Sequence, residues 1–259
     1  MGSEQITDDE KPVHKVHLER YWISRVPITN AQYRFFVEDA GHQAPKHWED
    51  GQIPRGKESH PVVNVTWHDA MAYCRWLEEK LQVAGCKLKV WQPSGQLSTC
   101  NFQLATHQVQ LPSEAEWEKA ARGPALSLSR AQSRDRVEGS EVREYPWGDS
   151  WREGHCNSDE LGVNDTTPVG IFPEGASPYG VLELVGNVWE WTRSHWGYAY
   201  PYVADDGREA LDAGNDGLRV LRGGAFDLNQ DLARCAYRFR IIPYLRNFGF
   251  RVVVSPSRP

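Results

Sequence analysis

Residues 219–254 read RVLRGGAFDLNQDLARCAYRFRIIPYLRNFGFRVVV. A frame of Arg219, Arg222, Gly223, Gly224, Arg234, Pro243, Arg246, Gly249 and Arg251 runs through the stretch. Between the frame residues stand Phe226, Leu228, Tyr237, Phe239, Ile241, Ile242, Tyr244, Leu245 and Phe248, all large and apolar. Their spacing follows neither a period of 2 nor one of 3.6, and a regular element with one buried face shows one or the other. Such a segment is a folded core, a catalytic floor or a binding surface. Its residues alone leave all three open.

The rest of the chain narrows the class. The 259 residues carry a net charge of -6, and no basic run interleaved with aromatics is present, so no nucleic-acid partner is expected. Eleven Trp with 22 Gly and 16 Pro spread along the chain favour a loop-rich fold over a helical bundle. A chain of this length buries a sizeable core without covalent staples. The five cysteines, Cys74, Cys86, Cys100, Cys156 and Cys235, are odd in number and show no CxxC spacing. Buried, reduced thiols in a cytoplasmic protein are therefore expected rather than a zinc or redox motif. No apolar run approaches the ~18 residues of a membrane span, and the N-terminus lacks the apolar region of a signal peptide. Met1-Gly2-Ser3 reads as a tag remnant, residues 1–10 as a flexible leader and 255–259 as a tail around one domain over 11–254. The natural chain is expected to begin upstream and to carry another domain.

Three helices are marked by their caps. Thr29 precedes a helix over 30–40 that ends at Gly41, and Thr66 with Asp69 forms a capping box ahead of Ala70, Tyr73, Cys74, Leu77 and Leu81, with Gly85 as the stop. Ser113 and Glu116 form a second box on a short helix ending at Gly123. Residues 11–28 read as a strand pair or an extended entry, 86–110 as a hairpin-like insertion, and 124–143 as a surface loop. From Tyr145 to Pro178 there is almost no period, and a stretch this long without one generally needs a function or a metal to hold it. Strands are expected in 181–191, 218–221 and 250–254.

Eight motifs occur in one order: Asn30-Ala31-Gln32-Tyr33, Pro61-Val62-Val63-Asn64-Val65-Thr66-Trp67, LPSEAEWEKAAR from Leu111, Tyr145-Pro146-Trp147-Gly148, Thr167-Pro168-Val169-Gly170, GNVWEW from Gly186, RVLRGG from Arg219, and Gly249-Phe250-Arg251. This series resembles the formylglycine-generating-enzyme-like (sulfatase-modifying factor) family and spans nearly the whole chain. The resemblance implies an α+β, C-type-lectin-like fold with long loops and little regular structure. It does not by itself imply an activity, because one fold hosts several. The oxidase branch binds copper through two cysteines shortly after the Arg-Gly-Gly motif, a choice of ligand that suits a soft monovalent metal. Residues 223–231 here contain no Cys, and Cys235 matches the family's structural cysteine, so the oxidase chemistry does not carry over. A second branch places iron on histidines and needs a helical domain absent from these residues. His14, His17, His42, His47, His60, His68, His107, His155 and His195 form no HxxxH or HxH pair.

A third branch, the variable proteins of diversity-generating retroelements, uses the fold as a binding scaffold. Its C-terminal frame is similar to the one quoted above, and its variable codons yield Phe, Tyr, Leu, Ile, Asp and Asn but not Trp, Lys, Glu, Gln or Met. Phe226, Asp227, Leu228, Asn229, Asp231, Leu232, Tyr237, Phe239, Ile241, Ile242, Tyr244, Leu245 and Phe248 fall in the permitted set, and Gln230 falls outside it. The resemblance thus implies a non-catalytic protein that displays these residues to a ligand, expected to be a protein. Tyr and Phe suit that task, because they offer large rigid contact areas with few rotatable bonds. An ordinary core draws on the same residues. Two further readings stand beside this one: an oxidative paralogue, and an invariant regulatory module of a larger signalling protein. The family also implies structural calcium, by motif position on Glu183, Gly186, Val188 and Glu190, with a looser second set at Asn157 and Ser158, and Asp165 beside it. Hard cations take such oxygens. Glu183 departs from the family's usual Asp or Asn.

Overall fold

The computed structural model describes residues 1–4, 7–83, 87–91, 97–101, 107–124, 143–211, 217–240 and 247–256, with the backbone alone at 83, 87–91 and 97–101. All three helices begin at the expected caps. In α1 (Asn30–Ala40) Gln32 N donates to Thr29 Oγ1 at 3.2 Å while Thr29 N donates to Gln32 Oε1 at 2.9 Å, and Gly41 ends the helix at φ 63°. Ahead of α2 (Trp67–Val83), Asp69 N donates to Thr66 Oγ1 and Thr66 N to Asp69 Oδ2. In α3 (Glu114–Arg122) the Ser113 and Glu116 pair closes the same way. Each box satisfies amide groups that a helix start leaves without partners.

The strands are short and pair over long distances in the chain. β1 (Trp22–Ile23) and β4 (His107–Gln110) flank the C-terminal strand β9 (Val253–Pro256), both antiparallel to it. β2 (Lys87–Trp91) and β3 (Leu97–Asn101) form the expected hairpin-like ribbon. Residues 107–110 leave that insertion to join the terminal sheet. Of the expected entry strands only Trp22–Ile23 forms. A four-stranded sheet runs in the order β7 (Arg238–Phe239), β6 (Arg219–Arg222), β5 (Trp189–His195), β8 (Phe248–Gly249), in which β5 and β8 are parallel. Between Tyr145 and Pro178 the regular elements are two single 3₁₀ turns, Asp159–Leu161 and Pro173–Gly175. The architecture is α+β, C-type-lectin-like and loop-rich.

The core lies between α1, α2 and these sheets. Tyr33 stacks on Tyr73 at 5.8 Å and meets Phe250 edge-on at 6.2 Å. Trp191 Nε1 donates to Val65 O at 2.9 Å and Trp67 Nε1 to Thr192 O at 3.0 Å, so both buried indoles keep a polar partner.

Several described residues of the leader pack against the domain. Gly2 and Ser3 are buried; Gly2 N donates to Glu118 Oε1 at 2.8 Å, and Gly2 O accepts from Arg122 Nη2 at 2.9 Å. Glu10 is fully buried against Arg234, 224 residues away. The physical reason is charge: α3 and the C-terminal segment bring buried cations and carboxylates together, and the leader supplies their missing partners.

Candidate functional site

Among the described residues, the frame arginines Arg219, Arg222, Arg234 and Arg251 are buried, and Arg238 is buried with them. Gly223 and Gly224 turn the chain after β6 at φ 99° and 74°. A Cβ on Gly223 would lie 2.8 Å from Leu184 O, so glycine is required there twice over, by conformation and by space. Arg222 is fully buried, ion-paired to Glu118, and donates through Nη1 to Tyr237 O at 2.8 Å. Arg234 donates to both Glu10 oxygens, to Glu144 Oε1 and to Asp231 O. Arg238 makes a two-point pair with Glu114 at 2.7 and 2.8 Å. Fork-shaped guanidinium groups fix direction as well as charge. Hence the loop from 225 to 237, although irregular, is anchored at three buried points.

The residues between the anchors face outward to varying degrees. Asp227, Asn229 and Asp231 are exposed, and Leu228, Leu232, Tyr237 and Phe239 are half-buried. Trp189, itself buried, supports the two aromatics: Phe239 stacks on it at 5.1 Å and 21°, and Tyr237 lies at 5.9 Å. Asn247 Nδ2 holds Asp227 Oδ1 at 2.8 Å. The result is a shelf with a rigid aromatic base and a polar, acidic rim. Burial pushes the Tyr237 hydroxyl above its ordinary range, so it stays protonated.

Two expected members of the face are core instead. Phe226 is 3% exposed and Phe248 is 2% exposed. Phe248 belongs to β8, where pairing with Trp189 turns its ring edge-on to Trp191 at 5.3 Å. Phe226 is carried inward by the Gly223-Gly224 turn, its N–H bonded to Asn187 O. Ile241, Ile242, Tyr244 and Leu245 lie outside the described residues.

The described thiols are unreactive. Cys74, Cys156 and Cys235 are free and buried, and burial pushes Cys156 and Cys235 up to about 12 and Cys74 higher still. Such thiols are poor nucleophiles and poor metal ligands at neutral pH. Among the described residues no group of three or more His, Cys, Asp or Glu gathers into a metal-binding set.

The calcium ligands implied by motif position fare unevenly. Glu190 does not fit. Arg251 grips its two oxygens at 2.6 and 2.7 Å, and Trp117 Nε1 donates to Oε2 at 2.7 Å. A carboxylate paired this closely in the interior has its charge already balanced. Gly186 O accepts from Val188 N at 2.9 Å, and Ser158 Oγ donates to Glu160 Oε2 at 2.7 Å. Glu183 and Asn157 are different. Glu183 Oε1 accepts from Gly170 N, but Oε2 is buried without a partner, as is Asn157 Oδ1. Burial pushes the Glu183 carboxyl up to about 7, although the Gly170 amide and Arg251 pull it down. These oxygens suit a hard cation.

Several site residues were missed at the level of sequence. Glu10, Glu114, Glu118 and Glu144 are the acids that seat the frame arginines. The spacing Glu114, Glu118, Arg122 places all three on one side of a helix and was a usable signal. Glu160 was not findable: its Oε1 accepts from Gln230 N, and Asp159 N donates to Leu228 O, which welds a distant turn to the face. Arg240 lies over Trp196 at 5.2 Å beside the shelf.

Comparison with known proteins bears on the family and the fold. The sulfatase-modifying factor enzyme 1-like domain matches residues 1–256. "Serine/threonine-protein kinase pkn1" of Chlamydia caviae is 30% identical over 96% of this chain and 35% of its own length. "Hercynine oxygenase" of Mycolicibacterium thermoresistibile is 28% identical over 89% of this chain and 49% of its own. The chain thus spans a third to a half of these curated relatives. Among solved structures, "Treponema denticola variable protein 1" superposes with a TM-score of 0.67 at 21% identity, covering 98% of this chain and 91% of that one. The matched span, the ordered motifs and the shared fold lead to one statement: this chain belongs to the sulfatase-modifying factor enzyme 1-like domain family.

Proposed function

We propose that the chain is a non-catalytic ligand-binding domain whose partner, a protein, docks on the shelf formed by Asp227, Leu228, Asn229, Asp231, Leu232, Tyr237 and Phe239. One observation carries the reading. Arg222, Arg234 and Arg238 are buried, while Asp227, Asn229 and Asp231 on the same stretch are exposed. A loop held at buried points tolerates replacement of the side chains between them, which is what a diversified surface needs. Half-exposed aromatics on a rigid base supply the anchors that dominate protein interfaces. The relatives named as enzymes support a second reading, an oxidative paralogue. The buried, protonated thiols weigh against it. The relative named as a kinase supports a third, an invariant module of a longer signalling protein.

The three readings separate by experiment. Diversification by a retroelement requires a near-copy of codons 226–248 close to the coding sequence, differing at template adenines. Its absence defeats that part of the proposal. Oxygen uptake by protein loaded with copper or iron would overturn the non-catalytic reading. Once a protein partner is in hand, Tyr237→Ala and Phe239→Ala are each expected to weaken binding about 30-fold, equivalent to about 2 kcal/mol, in calorimetric titration. Unchanged affinity in both would remove the shelf from the interface. Sequences of sibling isolates that are invariant over 226–248 would favour the signalling module.

A further inference from the structure

The two ends of the 1–14 leader are joined to each other. Met1 N donates to His14 O at 2.7 Å, His14 N to Met1 O at 2.9 Å, and Ser3 N to Glu10 O at 3.0 Å. A Cβ on Gly2 would lie 2.6 Å from Glu10 O, so the ends pack with no space between them. This unit is fastened to the domain at four places. Gly2 meets Glu118 and Arg122, Glu10 takes Arg234 on both its oxygens, and Asp9 O accepts from Arg238 Nη1 at 3.1 Å. The fourth is the half-buried His14, whose Nε2 accepts from Tyr202 N at 2.8 Å. A backbone N–H can only donate, so that Nε2 carries no proton. The proton therefore sits on Nδ1, which donates to Pro12 O at 2.7 Å. Only the neutral ring fills both roles.

We propose that residues 1–14 are a pH-sensitive latch on the displayed loop: neutral His14 holds the leader down, and a proton on its Nε2 releases it, withdrawing Glu10 and the Asp9 carbonyl from Arg234 and Arg238. The protonated ring would set an N–H against the Tyr202 N–H. Around it stand the Tyr200 ring, edge-on at 4.8 Å, the Met1 amino group, Arg208 and Glu118. Burial, the Met1 amino group and Arg208 disfavour the charged ring and outweigh Pro12 O and Glu118, so His14 titrates below its ordinary 6.5. A lowered value means that the neutral form is the one the fold stabilises. The latch is closed above 6.5 and opens as pH falls below it. With the latch open, Arg234 keeps Glu144 and Asp231 O, and Arg238 keeps Glu114. The loop loosens while the domain stays folded. For its consequence this inference rests on the shelf being the binding face: a ligand held at neutral pH is released in acid.

The test uses the whole chain without ligand, so the latch and the binding reading can fail separately. Amide hydrogen exchange, corrected for its intrinsic pH dependence, is compared at about pH 7.5 and about pH 5.5. Amides of the leader and of 226–239 are expected to lose protection about fivefold or more at the lower pH, while those of α2 keep theirs. His14→Gln offers an oxygen to Tyr202 N and does not titrate, and the loss at 226–239 is expected to vanish in it. The variant retains His47, His60 and Glu183, so an equal loss in it would assign the effect to other groups and overturn the proposal. No loss in the unsubstituted chain, or an equal loss in α2, would overturn it too. Should the variant not fold, NMR titration of the His14 ring in the unsubstituted chain decides. A midpoint below 6.5 that coincides with the loss at 226–239 supports the latch, and a midpoint at or above 6.5 overturns it.

Discussion

Glu118→Gln is expected to destabilise the fold by about 3–5 kcal/mol at neutral pH, the typical cost of removing one partner from a buried ion pair. Glu118 is 1% exposed and accepts from Arg122 Nε at 2.8 Å, from Gly2 N at 2.8 Å and from Arg222. Its loss strands Arg222, fully buried, with Glu114 at 3.8 Å as the remaining carboxylate. The same substitution is expected to change the acid limb. Burial raises the Glu118 carboxyl, but Arg122, Arg222 and the Met1 ammonium outweigh it and bring it to about 2. A depressed folded-state value means stability that is present above the ordinary 4.5 and lost as pH falls toward 2. The full shift corresponds to about 3 kcal/mol. Urea unfolding at several pH values from neutral to ~2.5 checks both parts. An acid limb equally steep in Glu118→Gln would show that other groups carry it.

The second large effect separates core from display. Phe248→Ala is expected to cost about 3–5 kcal/mol, because a fully buried ring leaves a cavity between β8 and Trp191. Its effect on ligand affinity, measured per folded molecule, is expected to be nil. Phe239→Ala is expected to show the reverse weighting. Its ring is half-exposed on Trp189, so stability falls less and binding falls more. Denaturation midpoints combined with binding titrations distinguish the two. A stable Phe248→Ala variant with weakened binding would return Phe248 to the face.

Much of this was legible before the fold was known, where the information was local. The caps at Thr29, Thr66 and Ser113 needed residues three positions apart, and all three helices start there. The Arg-Gly-Gly frame, the missing cysteines after it and the aperiodic 145–178 stretch were likewise local facts. The packing of the leader is not legible locally because its partners are remote: Glu10 looks solvated until Arg234 is placed against it. Glu190 likewise looks like a free carboxylate until Arg251, 61 residues away in the chain, is placed against it.

The family, the helix starts and the absence of a cysteine pair in 223–234 are readable from residue order alone. Those properties rest on residue identity and short spacing, which a chain carries whether or not it is folded. Which of the described apolar residues of 219–254 face outward came from the folded arrangement alone. An aperiodic segment has no intrinsic face; direction comes from distant anchors. Here Glu10, Glu114 and Glu118 pull three arginines inward, Trp189 holds Tyr237 and Phe239 at the surface, and β8 turns Phe248 into the core.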